Sequence, residues 1–234
     1  MEKEKRTVEY LDSELRASRR SRNLSGKGII FNKLSQDLGG FKEIVKPEAV
    51  AGVLEKSDVL CLLNHNEDRG LLARSTNKEG TLSLSVDNIA VNYDFEAPET
   101  AIGDEALSGV RRKDIRGSSF SFTVAEGGDQ WDKQPDGTYL RTISKFDQIY
   151  DISLVYRPAY LDTSIAVRKL VDIKTSEAEK AIQEAEKRAA DLEEELRLKT
   201  PSESTTATEA ESIKKPDLTN YYKQIDERIK KMKR

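Results

Sequence analysis

One histidine, His65, and one cysteine, Cys61, stand in this chain, both within "VLCLLNHNEDRGLLARS". The imidazole sits where an apolar run gives way to Asn, Glu, Asp, Arg and Gly. A base that activates a serine belongs at such an edge, where a strand runs out into a polar mouth. It needs a hydroxyl on one ring nitrogen and a third group on the other, to hold the tautomer and stabilise the imidazolium. With a single histidine, such a set can only be Ser-His-acid. Cys61 is the weaker nucleophile candidate: if "LCLLNH" is extended, the two side chains share a face but lie roughly 13 Å apart at ~3.3 Å per residue. That makes Cys61 a small core residue. Spacing does not choose the serine, and a surface or hydrogen-bonded histidine would fit the same pattern.

Other chemistries find little support. One Cys and one His do not make a structural zinc site or an internal disulfide. "EGGDQW" lacks the spacing and the strand-to-helix context of a phosphate-binding loop, and "NEDR" does not follow a calcium-loop pattern. No cofactor is therefore expected. A net charge of −3 over 234 residues argues against binding nucleic acid through bulk charge. No apolar run approaches the ~20 residues of a membrane span. "MEKEKRTVEYLDSELRASRRSR" has charge but no apolar signal core. The expected setting is reducing and cytosolic, without membrane or nucleic acid.

The elements that must position His65 are mainly strands. Apolar residues make up 36% of the chain and charged residues 35%, too polar for packed core throughout, so one globular domain with solvated flanks is expected. Residues 1–24 form a charged N-terminal segment, and 25–172 carry the strands. "KGIIFN", "DVLCLLN", "GTLSLSVDNIAVNYDF", "SSFSFTV", "TYLRTISKFDQIYDISLVY" and "SIAVRKL" are rich in β-branched or aromatic residues, many with period two. Leu82, Leu84 and Val86 share one face. Phe120, Phe122 and Val124 share another, with Ser119, Ser121 and Thr123 opposite. "PETAIGDEALSGVRRKD" reads as a helix weakened by glycines. From 173 to 234 the character is helical and charged. Ser176 and Glu179 suggest a capping box. Ile182, Ala185, Ala189, Leu192 and Leu196 then form a 3–4 stripe. A polar linker near 200–212 follows, and then a second stripe of Leu218, Tyr222, Ile225, Ile229 and Met232.

Three blocks, in order, resemble the tailed-phage prohead serine proteases: "LLNHNED…LLARS…GTLSLSVD", "RRKDIRGSSFSFTVAEGGDQWD" and "LRTISKFDQIYDISLVYRPAYLDTSIAVRK". The opening "GKGIIFNKLSQDLGGFKEIVKPEAV" is similar to that family's first block. The resemblance implies an α+β fold, mainly β with flanking helices: a compact β-barrel like that of the herpesvirus assemblins, plus a helical C-terminal tail. It implies a catalytic Ser-His-acid set. His65 corresponds to the family's "N-H" phrase, and Ser119 to the serine before "F-G-F", with Ser121 standing where that glycine usually stands. Ser118 takes this place if the register slips by one. Asp151 corresponds to the acid of the last strand, with Asp147 the alternative. Arg69, Arg74 and Arg116 lie near these motifs without an assigned role.

The function implied is a prohead maturation endopeptidase. It would cleave the major capsid protein precursor or scaffold segment, and itself, inside the assembling procapsid in the host cytoplasm. A homodimer is implied by the assemblins. The tail would carry the enzyme into the shell beside a helical scaffold, and the linker would be open to cutting. The alternative is a non-catalytic internal scaffold or capsid-assembly protein built on the same domain, which the tail would fit equally well.

Overall fold

Period-two apolar patterning becomes thirteen strands in the computed structural model, which describes residues 3–8, 13–156 and 164–199. Residues 157–163, with all but the last residue of "PAYLDTS", the linker near 200–212 and the second apolar stripe lie outside the described residues. A six-stranded sheet runs β1 (Glu4–Val8), β10 (Gly117–Val124), β13 (Phe146–Val155), β5 (Asp58–Cys61), β6 (Ala73–Thr76) and β7 (Glu79–Gly80). A four-stranded sheet orders β2 (Arg16–Ala17), β3 (Asn23–Ile30), β9 (Ala90–Glu96) and β8 (Leu82–Val86). A three-stranded sheet holds β11 (Asp129–Lys133), β12 (Tyr139–Ile143) and β4 (Phe41–Val45). The expectation of mainly β structure with helices holds, but the expected barrel is corrected. Among the described residues no sheet closes on itself, because β1 and β7 each end the large sheet with one side unpaired.

The first of two compact units, Met1–Lys180, contains all three sheets. Its main core gathers Phe120, Phe122, Phe146, Ile149, Ile152 and Leu154 from the large sheet with Leu24, Ile29, Val91 and Phe95 from the four-stranded one. Helix α1 (Ala101–Arg112) is capped by the Thr100 side chain, which accepts the Gly103 N–H. Two of its glycines are there for packing. A Cβ on Gly103 would meet the Pro98 carbonyl oxygen at 2.0 Å, and one on Gly109 would meet the Ile115 side chain at 2.5 Å.

"SIAVRKL" is not a strand. It opens helix α2 (Ser164–Lys199), where Ala166 and Leu170, four residues apart, pack on Phe41 and Tyr139. Helical spacing keeps those two side chains about one turn, roughly 6 Å, apart on one face, whereas a strand would hold them roughly 13 Å apart. Ser176 is likewise interior to α2 rather than its cap. The second unit, Ala181–Arg234, is described only as far as Lys199. In it the helix is exposed, Leu192 at 59% and Leu196 at 64%.

The charged N-terminal segment contributes β1 to the large sheet. Its alternation puts Glu4, Arg6 and Val8 on the buried side. Buried charges require partners, and these find them. Arg6 donates to Glu43 from both Nε and Nη2 at 2.9 Å, and from Nη2 to Glu4 at 2.7 Å. Arg141 donates to Glu4 at 2.7 and 2.9 Å, to Glu43 at 3.0 Å and to Asp129 at 2.8 Å. Burial alone would raise the Glu4 and Asp129 carboxyls. The basic partners outweigh it and hold both below their ordinary range.

Candidate active site

β5 runs parallel to β13, and the chain continues through Leu63, bridged to Leu154, before it curls. Asn64 and His65 both adopt left-handed backbone, φ 54° and 56°, a region that Asn and His enter more readily than most residues. The turn is held at both ends. The Asn64 N–H donates to the Leu154 carbonyl at 2.8 Å, and the Asn64 side-chain oxygen accepts the Tyr156 N–H at 3.2 Å. The strand therefore stops short of His65, and the ring folds back over the sheet. The backbone lies at the surface while the side chain is only 7% exposed.

Beneath the ring, β10 and β13 run antiparallel with Ser119 opposite Ser153 and Ser121 opposite Asp151. Alternation puts these four polar side chains on one face of the sheet, away from the Phe120, Phe122 and Ile152 face. His65 bridges the two rows. Its Nδ1 lies 2.6 Å from Asp151 Oδ1, and its Nε2 lies 2.7 Å from Ser119 Oγ. An ionised carboxylate only accepts, so Nδ1 carries the proton and donates, which leaves the Nε2 lone pair facing the Ser119 hydroxyl.

Asp151 is the anchor of this arrangement. Oδ1 also accepts from Ser153 Oγ at 2.6 Å, and Oδ2 accepts from Ser121. Burial would raise its pKa. The bond and charge of His65, with the two serine hydroxyls, outweigh burial and keep the carboxyl below the ordinary aspartate value. The site thus holds an anion, an oriented imidazole and a hydroxyl in series.

The other residues singled out from sequence sit elsewhere. Ser118 faces the core, its hydroxyl 2.7 Å from Tyr93 OH. Asp147 is exposed on β13 and accepts from Thr123 at 3.3 Å. Cys61 is fully buried, and burial first, then the charge of Asp151, push its thiol well above the ordinary value. Arg69 pairs with Glu105, Arg74 with Asp58, and Arg116 donates to the Lys113 carbonyl. Sequence reasoning missed Ser153 and did not see what Ser121 does. The signal was present in "SSFSF" beside "DISLV", two strands with polar residues at alternate positions, but their register was not. Ser119 itself is buried between β1 and β13. Among the described residues no group of three or more His, Cys, Asp or Glu side chains is placed to hold a metal ion.

A hydroxyl aimed at the lone pair of a carboxylate-held imidazole is what a nucleophilic serine hydrolase requires. Comparison with known proteins narrows the class. Residues 10–179, well over half of the chain, match the caudovirus prohead serine protease family, and the chain belongs to that family. It is thereby a serine peptidase of tailed-phage prohead maturation, acting within the procapsid in the host cell. No curated protein and no solved structure matches it. No helix among the described residues is long and apolar enough to cross a membrane.

Proposed function

We propose that this chain is a serine endopeptidase of the assembling procapsid in which Ser119 is the nucleophile, His65 the general base and acid, and Asp151 the group that orients His65. The observation that carries the reading is the continuous series Asp151–His65–Ser119, with contacts of 2.6 and 2.7 Å. His65 Nε2 takes the hydroxyl proton as Ser119 Oγ attacks the scissile carbonyl. It returns that proton to the leaving amine, then activates water to release the acyl group. Asp151 stays ionised throughout and offsets the imidazolium charge.

The substrates in this reading are the major capsid protein precursor or a scaffold segment, and the protease itself. The enzyme works as a homodimer on an assemblin-like domain, and the exposed apolar residues of α2 dock on the helical scaffold. The test is co-expression with the cognate capsid protein precursor. Wild type trims the precursor, whereas Ser119→Ala and His65→Ala leave it full length. Trimming that persists in Ser119→Ala but stops in Ser118→Ala would place the nucleophile one residue earlier. Trimming absent from wild type and variants alike, with shells still assembling only when the chain is present, would favour the internal-scaffold alternative.

A further inference from the structure

Ser119 is 0% exposed, and the side chains of His65 and Asp151 are 7% and 9% exposed. A peptide carbonyl must approach the nucleophile to about 3–3.5 Å, and here that space is taken by β1. Thr7 pairs opposite Ser119, with its Oγ1 3.4 Å from Ser119 Oγ. The Arg6 carbonyl oxygen accepts the Ser119 hydroxyl at 2.8 Å. A hydroxyl has one hydrogen, so donation to Arg6 and donation to His65 Nε2 are alternatives. β1 both fills the approach to the hydroxyl and competes with the base for its proton.

We infer that β1 is a tethered stand-in for substrate. Peptides add as an antiparallel strand to the same β10 edge once β1 has peeled away, and they present a basic side chain to Glu43 where Arg6 now sits. The inference rests on the reading of Ser119 as nucleophile. An exposed sheet edge captures an extended peptide through main-chain bonds, and pockets for alternate side chains set the specificity. The register is fixed by the carbonyl at Ser119. It belongs to Arg6, so the residue on the acyl side of the cut bond takes the Arg6 position.

The chemistry of that position is acidic. Glu43 is 3% exposed and holds Arg6 through a two-pronged contact, 2.9 Å on each arm. When β1 leaves, Glu4 and Arg6 leave together. Glu43 and Asp129 then share the single guanidinium of Arg141, and Lys169 reaches only the Asp129 end. Glu43 then keeps only the 3.0 Å bond from Arg141 where it now accepts three, and an incoming arginine or lysine restores the charge-assisted contact where a neutral or acidic residue does not.

Two further observations agree. A cavity of about 130 Å³ borders Arg6, Thr7, Val8, Glu43 and Phe120, so open space adjoins the Arg6 position. β1 also precedes residues 10–179, the stretch matched to the family, so the edge it covers belongs to the matched domain.

The experiment is labelling of the full chain with a fluorophosphonate probe, with the modified residue mapped by mass spectrometry. Arg6→Ala is expected to label at Ser119 about tenfold or more faster than wild type, since a buried charge-assisted pair holds β1 down. Arg6→Lys, which keeps the charge and loses the fork, is expected to fall between, and it serves if Arg6→Ala does not fold by circular dichroism. A peptide of Lys3–Val8 should slow labelling of the faster variant, and the same peptide with alanine in place of its arginine should not. Labelling of wild type as fast as that of the variants, or equal competition by the two peptides, overturns the inference and leaves the nucleophile reading intact. Absence of Ser119 labelling in every form overturns both.

Discussion

Replacing Asp151 by asparagine separates the charge of the carboxylate from its shape. The amide is isosteric. Its oxygen can still accept from His65 Nδ1 and Ser153, while its NH2 can donate to Ser121, whose hydroxyl turns to accept. In that arrangement the imidazole keeps its tautomer, and what is lost is the attraction between carboxylate and imidazolium in the transition state. The Nδ1–Oδ1 contact is 2.6 Å and the Asp151 side chain 9% exposed, so solvent screens the pair weakly. With charge centres ~4 Å apart and an effective dielectric constant of ~20, the attraction is ~4 kcal/mol. Removing it lowers kcat by about a thousandfold. If the amide turns the other way and donates to Nδ1, the ring presents a proton to Ser119 and the loss rises to about ten thousandfold. The assay is steady-state cleavage of a fluorogenic peptide, with both forms carrying Arg6→Ala so that β1 does not mask the difference. KM should hardly move, and the melting temperature should shift little. A kcat within about tenfold of the parent, with a large fall in melting temperature, would show that Asp151 serves the fold alone. Asp147→Asn, on the exposed part of the same strand, serves as the control.

Ser118→Ala should leave cleavage unchanged at permissive temperature and lower stability by about 1–3 kcal/mol, because it strands the buried Tyr93 hydroxyl; chemical denaturation reads the second effect. Native Cys61 should resist iodoacetamide until the chain unfolds, and Cys61→Ala should retain cleavage while costing about 1–2 kcal/mol of core packing. Rapid native alkylation that also stops cleavage would contradict this. Glu4, Asp129 and Asp151 all have carboxyls held below their ordinary values. Their contribution is fully present above the unfolded-state values near ~4 and is lost as pH falls through the lower folded-state values. Thermal melts should therefore be flat from neutral pH to about pH 5 and fall steeply below about pH 4; a melting temperature unchanged at about pH 3 would refute the assignment.

Much of the candidate site was legible because it is made of local signals. A lone histidine at the end of "VLCLLN", an alternating "SSFSF" and a "YDISLV" strand each announce their face and their edge within a few residues. The phrases that resemble the prohead proteases lie in the stretch that the family match covers. Local pattern was less use where context overrides it. "SIAVRKL" has β-branched residues and became helix, where Ala166 and Leu170, one turn apart, pack together on Phe41 and Tyr139. "FKEIV" and "EKRTV" alternate charged with apolar residues, yet Glu43, Glu4 and Arg6 all lie on the buried faces.

By itself, then, the sequence determined which residues could do chemistry and which face of each strand they occupy, since side-chain alternation is a property of one strand. Only the tertiary structure decided who meets whom. Register set Ser121 against Asp151 and Ser119 against Ser153, and two left-handed residues swung His65 over both rows. The edge of β10 was covered by a strand from the charged N-terminus. Hydrogen bonds between strands and pairing among buried charges depend on segments more than a hundred residues apart, such as Thr7 with Ser119 and Glu4 with Arg141. No periodicity within either segment encodes that distance.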